Sequence, residues 1–329
     1  MRAQRYAWLL SLAAFGFLAG CGRHSNKEVY YLIANNLSLP YWKTAVAGFQ
    51  KAASQYDVTA KVDGPNNFDP QAELKDLHDA IATHPNGILI SVADAPLMQP
   101  EIDSAIDQNI PVITFDSDAP HSHRLYFIGT NNLEAGHLGG QRLVDKLGGK
   151  GNVVFFTNTG QPNLDERLKG YEDIMSLHPG IKEVEVFNIK GSSENAFDKA
   201  QEYLARTGDK KIDAFVCLEA SAGKDVATVL KNNKVTDRLL IAMDVDPDTL
   251  QDIKDGLINA TIAQKPYTMG YIGLRALDVI FHNPPTKLSP DYSQDSFSPF
   301  PVFVDTGTAE VDKNNVDIYL ESAAEAQPK

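Results

Sequence analysis

Short apolar runs recur along the chain with amphipathic stretches between them. Four begin near Val29 (VYYLIA), Val58 (VTAKV), Gly87 (GILIS) and Pro111 (PVITF), at spacings of 29, 29 and 24 residues. Four more begin near Asn152 (NVVFF), Glu183 (EVEVF), Asp213 (DAFVC) and Leu239 (LLIAM), spaced 31, 30 and 26. The intervals carry helical period. Trp42, Ala45, Val46, Phe49 and Ala53 share one face, as do Leu74, Leu77 and Ile81, and later Met269, Ile272, Gly273, Ala276 and Ile280. Pro70, directly after Asp69, and Pro266 suit first-turn positions of helices. Continuous apolar strands alternating with helices predict parallel sheets covered on both faces. The matched spacing of the two series predicts two similar α/β lobes.

The last strands of the two series end alike, Ile113-Thr114-Phe115-Asp116 and Ile241-Ala242-Met243-Asp244. Open parallel sheets bind ligands beyond the carboxyl ends of their strands, so these aspartates point to a ligand held between the lobes. An aspartate at a strand end is also a common helix N-cap, and the pattern leaves both roles open. Pro40-Tyr41-Trp42 opens the first helix directly after the first strand. Trp42 fits either the buried stripe of that helix or the cleft. Tyr41 lies off the stripe and is expected to be exposed into the cleft. The tail from Leu288 to Pro301, rich in Ser, Pro and Asp, reads as loop, with a last strand over Pro301–Asp305 and a last helix over Asn315–Ala324.

Composition adds exclusions. The 329 residues are 43% apolar and 22% charged, with 2 cysteines and a formal net charge of −13, which is globular rather than disordered, collagen-like or disulfide-dense. The length accommodates one large or two medium domains. So negative a charge argues against a phosphate-backbone binder, because nucleic-acid affinity rests on clustered Lys and Arg.

Met1–Arg5 carries two arginines, and Tyr6–Leu18 is a 13-residue run with no charge. Such a run rises about 20 Å as a helix, short of the roughly 30 Å core of a bilayer, and reads as an export signal. Leu18-Ala19-Gly20-Cys21 resembles a bacterial lipobox, which implies removal of residues 1–20, lipidation of Cys21 and a tether over 21–28. The alternative is a plain export signal with a chance cysteine. Removal takes away Arg2 and Arg5, leaving 28 basic against 43 acidic residues, a net −15. Cys217 would then be alone, with no intramolecular disulfide, and its apolar surroundings predict a buried inert thiol.

Other motifs are weak. Gly148-Gly149-Lys150-Gly151 lacks phosphate-loop spacing and reads as a helix-ending turn. His121-Ser122-His123 beside Asp118 is a poor metal motif. Asp244–Asp248 starts like a calcium loop, but Thr249 stands where the turn requires glycine. No nucleophile elbow or zinc-protease motif occurs.

From about Val29 to Phe281 the chain resembles the bacterial type I periplasmic sugar-binding proteins, those for ribose above all. The resemblance is carried by Asn35-Asn36-Leu37-Ser38-Leu39-Pro40-Tyr41-Trp42, Ile110-Pro111-Val112-Ile113-Thr114-Phe115-Asp116, Asp165-Glu166-Arg167-Leu168-Lys169-Gly170-Tyr171 and Ala260-Thr261-Ile262-Ala263-Gln264. It implies an α/β fold of two Rossmann-like lobes joined by a three-segment hinge. The first lobe would comprise 29–129 plus 265–300, and the second 130–264 plus 301–329. The crossings would fall near Gly129–Thr130, Gln264–Lys265 and Phe300–Pro301.

It also implies a site. Tyr41 and Trp42 would stack on a sugar, Asn35 and Asn158 would hydrogen-bond, Asp116 and Asp244 would accept hydroxyl hydrogens, and Arg167 and Gln264 would donate. Departures from the ribose pattern are Leu39, Ser91 and Glu219 in place of asparagines, and Ser117 in place of an arginine. Ser91 and Glu219 remain ligand contacts in this reading. Three acids facing one arginine point to a ligand richer in donors than ribose: a hexose, an inositol-like polyol or an amino sugar.

The expected function is capture of a monosaccharide or polyol for an ABC permease, by a monomeric lipid-anchored protein of the periplasm or cell envelope. No ATP, cofactor or metal is required of this chain. The rivals are a sensor presenting its ligand to a membrane receptor and a glycosidase using Asp116 and Asp244. The related ligand-sensing half of a repressor is excluded by the export signal and the charge.

Overall fold

The computed structural model describes residues 24–288, 292 and 294–325. The export signal, Cys21 and the start of the tether therefore lie outside the described residues. The chain runs β1 (Val29–Ile33), α1 (Pro40–Tyr56), β2 (Thr59–Asp63), α2 (Pro70–Ala82), β3 (Gly87–Ile90), α3 (Ala95–Asp107), β4 (Val112–Phe115) and β5 (Phe127–Gly129). It continues through α4 (Asn132–Leu147), β6 (Gly151–Thr157), α5 (Pro162–Ser176), β7 (Ile181–Asn188), α6 (Ser193–Leu204), β8 (Ala214–Cys217), α7 (Ala222–Asn232), β9 (Leu239–Met243), α8 (Pro247–Asp255) and β10 (Ala260–Ala263). It closes with α9 (Pro266–His282), β11 (Phe303–Asp305), β12 (Ala309–Asp312) and α10 (Val316–Glu325). Among the described residues, no helix is long and apolar enough to cross a membrane.

Two six-stranded sheets result, ordered β2-β1-β3-β4-β5-β11 and β7-β6-β8-β9-β10-β12. Every pairing is parallel except β10 with β12. Both sheets reverse strand order beside their first strand, β1 or β6, the position at which doubly wound sheets open a crevice at their carboxyl edge. The apolar runs make the strands because both faces are covered: β3, β4, β8 and β9 are buried along their whole lengths.

Helix starts follow local chemistry. Asp69 accepts hydrogen bonds from the amides of Gln71 and Ala72, with Pro70 in the first turn of α2, and Pro266 opens α9 likewise. The Gly148 turn is a left-handed cap ending α4.

The third crossing differs from expectation. β11 pairs with β5 in the first sheet, so the chain changes lobes after Asp305 rather than at Phe300–Pro301. Local pattern could not decide this, because a three-residue strand with exposed Phe303 and Asp305 is placed by its partner strand. The three crossings are laced together: Thr306 donates to the Gly129 carbonyl from both its amide and its hydroxyl, and Thr308 Oγ1 donates to the Ala263 carbonyl.

Candidate functional site

Asp116 and Asp244 end β4 and β9, and each has a left-handed backbone, φ 60° and 68°. Aspartate tolerates that region better than most residues. Each amide donates to the neighbouring strand, Asp116 to the Ile128 carbonyl and Asp244 to the Ile262 carbonyl. The ladder thus continues while the side chain turns out of the sheet edge. Among the described residues neither carboxylate caps a helix, and both face the cavity between the lobes. The capping role belongs to Glu219, whose two oxygens accept the Ser221 and Ala222 amides at 2.7 Å, at the start of α7.

The lobes close over a cavity of about 70 Å³. That is room for several waters or one small polar molecule. Asn35, Tyr41, Trp42, Asp116, Asn158, Arg167, Glu219, Asp244 and Gln264 all line it. Ser91 does not. It is fully buried behind the wall and donates from Oγ to Asp116 Oδ2 at 3.1 Å. Tyr41, expected to face the cleft, does line the cavity, although only 6% of it is exposed. Its hydroxyl donates to Asp116 Oδ1, and its ring meets Trp42 edge-on at 5.0 Å. Burial beside Asp116 and Asp244 pushes the Tyr41 phenol well up, so it remains a donor.

Arg167 organises the second lobe's half. It is 2% exposed on α5, donates to the Leu218 carbonyl, and reaches Asn132 Oδ1 at 2.6 Å and Gln264 Oε1 at 3.4 Å. Gln264 in turn donates to Asp244 Oδ1 at 3.0 Å. Two glycines bring α5 close enough to α4 for this: a Cβ at Gly136 would meet the Arg167 carbonyl at 2.1 Å, and one at Gly170 the Leu133 carbonyl at 2.3 Å. Two buried polar atoms of lining residues have no hydrogen-bond partner among the described residues, Arg167 Nε and Asn163 Oδ1. Asn163 and Arg167 are four apart on α5 and so share its cavity face. An unsatisfied buried donor and acceptor in one cavity wall are what a polar ligand would satisfy.

Several lining residues escaped the sequence reading, among them Asn36, Phe68, Gln161, Asn163 and Ser221. Phe68 belongs to the first lobe and packs beside Gly191 of the second, where a glycine Cβ would fall 2.7 Å from the Phe68 Cβ. No local pattern marks these positions, since lobe closure brings them together. Asn132, which orients Arg167, had one signal: it directly follows the first crossing. Asp118 is paired with Arg124 at 2.5 and 2.6 Å, which takes it away from the His121–His123 pair. Cys217 is buried, its thiol held well above the ordinary value chiefly by that burial.

Burial raises the pKa of all three acids. Asp244 goes furthest, pushed up to about 8 by burial and further by Asp246, against the pull of Arg167. A hydroxyl donating to Asp244 favours its ionised form, so ligand affinity should rise from about pH 6 to pH 8 and then level off. Calorimetry at pH 7 in two buffers of different ionisation enthalpy should show proton release on binding, abolished in Asp244→Asn. Without ligand the folded state holds this proton at a pH where the unfolded chain has lost it. Stability should therefore fall between about pH 4 and pH 8, less steeply in Asp244→Asn.

Comparison with known proteins agrees with this architecture. Residues 30–282 match the family model described as periplasmic binding protein domain. The ribose import binding protein of Haemophilus influenzae is 26% identical over 270 residues, covering 80% of this chain and 89% of that protein. A sugar-binding protein of a sugar ABC transporter from Bacillus halodurans has 32% identity and a TM-score of 0.76, covering 89% of this chain and all of that one. A glucose-galactose binding protein from Geobacillus stearothermophilus aligns with 28% identity and a TM-score of 0.79, over 88% of this chain and 98% of that one. With its two doubly wound lobes closed on a polar cavity at their strand ends, the chain belongs to the periplasmic binding protein domain family.

Proposed function

We propose that the chain is the sugar-binding component of an ABC import system, holding a monosaccharide or polyol between its lobes and delivering it to a permease. The observation that carries this reading is the cavity between the lobes, whose lining brings together the carboxyl groups of Asp116 and Asp244 and the guanidinium-bearing Arg167. Carboxylates are acceptors and arginine is a donor, so together they orient hydroxyl groups. Tyr41, Trp42 and Phe68 supply apolar faces for the C–H surfaces of a sugar ring. The names of the related proteins, which bind ribose or glucose and galactose, support the same class. The cavity is lined from both lobes, so ligand enters as the lobes part about the three laced crossings. Ligand contacts both lobes only when they close, and it therefore shifts the population toward the closed form. In this reading the protein acts in the periplasm, as a monomer tethered by lipid on Cys21, and catalyses no reaction.

The site is acidic beyond the needs of ribose, with Leu39, Asp116, Glu219 and Asp244 all among its lining residues. That favours a donor-rich ligand: a hexose, an inositol-like polyol or an amino sugar. The test is a thermal-shift screen of the full chain in detergent against pentoses, hexoses, polyols, amino sugars and amino acids. Ligand at a thousand times its Kd adds about 4 kcal/mol, enough to raise Tm by several degrees. A shift with one sugar class supports the reading, and silence across the sugars with a response to an amino acid sinks it. Glu219→Gln is expected to weaken the true ligand several-fold, and unchanged affinity would remove the donor-rich assignment. Turnover of a chromogenic glycoside would replace binding by catalysis.

A further inference from the structure

At the other end of the first lobe, two histidines converge on one buried carboxylate. His24 Nε2 lies 3.0 Å from Asp278 Oδ2, and His282 Nε2 lies 3.6 Å from Asp278 Oδ1. On its far side His282 Nε2 is 3.0 Å from Glu28 Oε2. Among the described residues, His24, Asp278 and His282 form one group in which a ligating atom of each lies within 4.8 Å of the others. They come from the segment before β1 and from the last turns of α9, 254 residues apart. The cluster sits at the amino end of β1, whereas the sugar cavity lies beyond its carboxyl end, about 17 Å of strand away.

We propose that His24, Asp278 and His282, with Glu28 beside them, form a binding site for a divalent transition metal, zinc in the first place. Two imidazole nitrogens with carboxylate oxygens suit zinc and its borderline neighbours, while magnesium and calcium take all-oxygen sets. Ligands at about 2.0 Å around a tetrahedral ion stand roughly 3.3 Å apart. The imidazole–carboxylate separations here are 3.0 and 3.6 Å, and one ligating atom of each of the three residues lies within 4.8 Å of the others, so a small closure seats the ion. The groups are held in place. The His24 ring stacks on Tyr56 at 4.8 Å and meets His282 edge-on at 4.9 Å, and the Tyr30 hydroxyl donates to Asp278 Oδ1 at 3.4 Å. Asp278 is 4% exposed, and its two oxygens face both imidazoles. About a third of the His24 side chain remains exposed, which leaves the ion a way in. Bound metal would clasp the segment leading from the tether onto α9.

The inference is independent of the ligand in the cleft. Untagged full chain in detergent, stripped with chelator, is titrated calorimetrically with zinc chloride and, separately, with magnesium chloride. One equivalent of zinc should bind, with no response to magnesium, and cobalt should produce the intense visible bands of a four-coordinate ion. His24→Ala and His282→Ala should each weaken zinc at least about tenfold, while His121→Ala, on an exposed loop, should not. His24 precedes the first strand, so its replacement spares the fold even if changes at buried Asp278 do not. Absence of zinc binding, or binding unaltered in both histidine variants, would overturn the proposal. Sugar affinity should be equal with zinc and with chelator, and a difference would overturn the separation of the two sites.

Discussion

Arg167→Lys should weaken the cleft ligand by a hundredfold or more while leaving both lobes folded. The guanidinium spans three acceptors, the Leu218 carbonyl, Asn132 and Gln264, and the residue lines the cavity. An ammonium carries the same charge at one point and cannot reproduce that fork. Loss of one or two charge-assisted hydrogen bonds at roughly 1.5–3 kcal/mol each corresponds to about 10- to 10⁴-fold in Kd. Calorimetry with the ligand found by thermal shift measures it, and circular dichroism checks the fold. Arg167→Met should be more severe, because Asp116, Glu219 and Asp244 all lose the cation that opposes the effect of their burial. If the lysine variant bound within threefold of the parent, Arg167 would be a scaffold for the second lobe and not a ligand donor.

Asp116→Asn should cost about a hundredfold in affinity, and the choice of asparagine matters. The residue sits at φ 60°, where alanine would add backbone strain and confuse the result, whereas asparagine tolerates the left-handed region. The substitution removes the charge and one acceptor oxygen from a group already receiving the Tyr41 and Ser91 hydroxyls. A sugar hydroxyl that loses its carboxylate acceptor while remaining buried costs about 2–3 kcal/mol. Ser91→Ala provides the graded control. Ser91 reaches the ligand only through Asp116, so its loss should weaken binding about tenfold or less, with the pH profile retained. Equal losses in the two variants would place Ser91, and not Asp116, at the centre of recognition.

Much of this site was legible from the chain. Apolar runs of matched spacing located eight of the strands; β3, β4, β8 and β9 are buried along their whole lengths and need no polar alternation, whereas the edge strands β2 and β7 are only partly buried. The shared ending of β4 and β9 pointed to Asp116 and Asp244 together. Resemblance to a known family then placed nine residues on the cavity wall. The tenth shows the limit. Ser91 ends β3 beside the aspartate, and only the depth of that strand in the sheet puts it behind the carboxylate instead of before it. Tyr41 shows a second limit: helical phase put it off the buried stripe, but it is buried against first-lobe partners, its hydroxyl at Asp116 and Met269 and its ring on Trp42.

Local pattern thus determined which segments are strand and helix, that there are two lobes, and which ends of their sheets carry the chemistry. These are consequences of periodicity and of side-chain types within a few residues of one another. The tertiary structure decided what depends on distant partners. It assigned β11 to the first sheet through its pairing with β5. It set Phe68 against Gly191 across the cleft, and it gathered His24, Asp278 and His282 at the far end of the lobe. Such contacts join residues tens to hundreds of positions apart, and their geometry is set by sheet order and lobe closure, on which the spacing of apolar residues along the chain is silent.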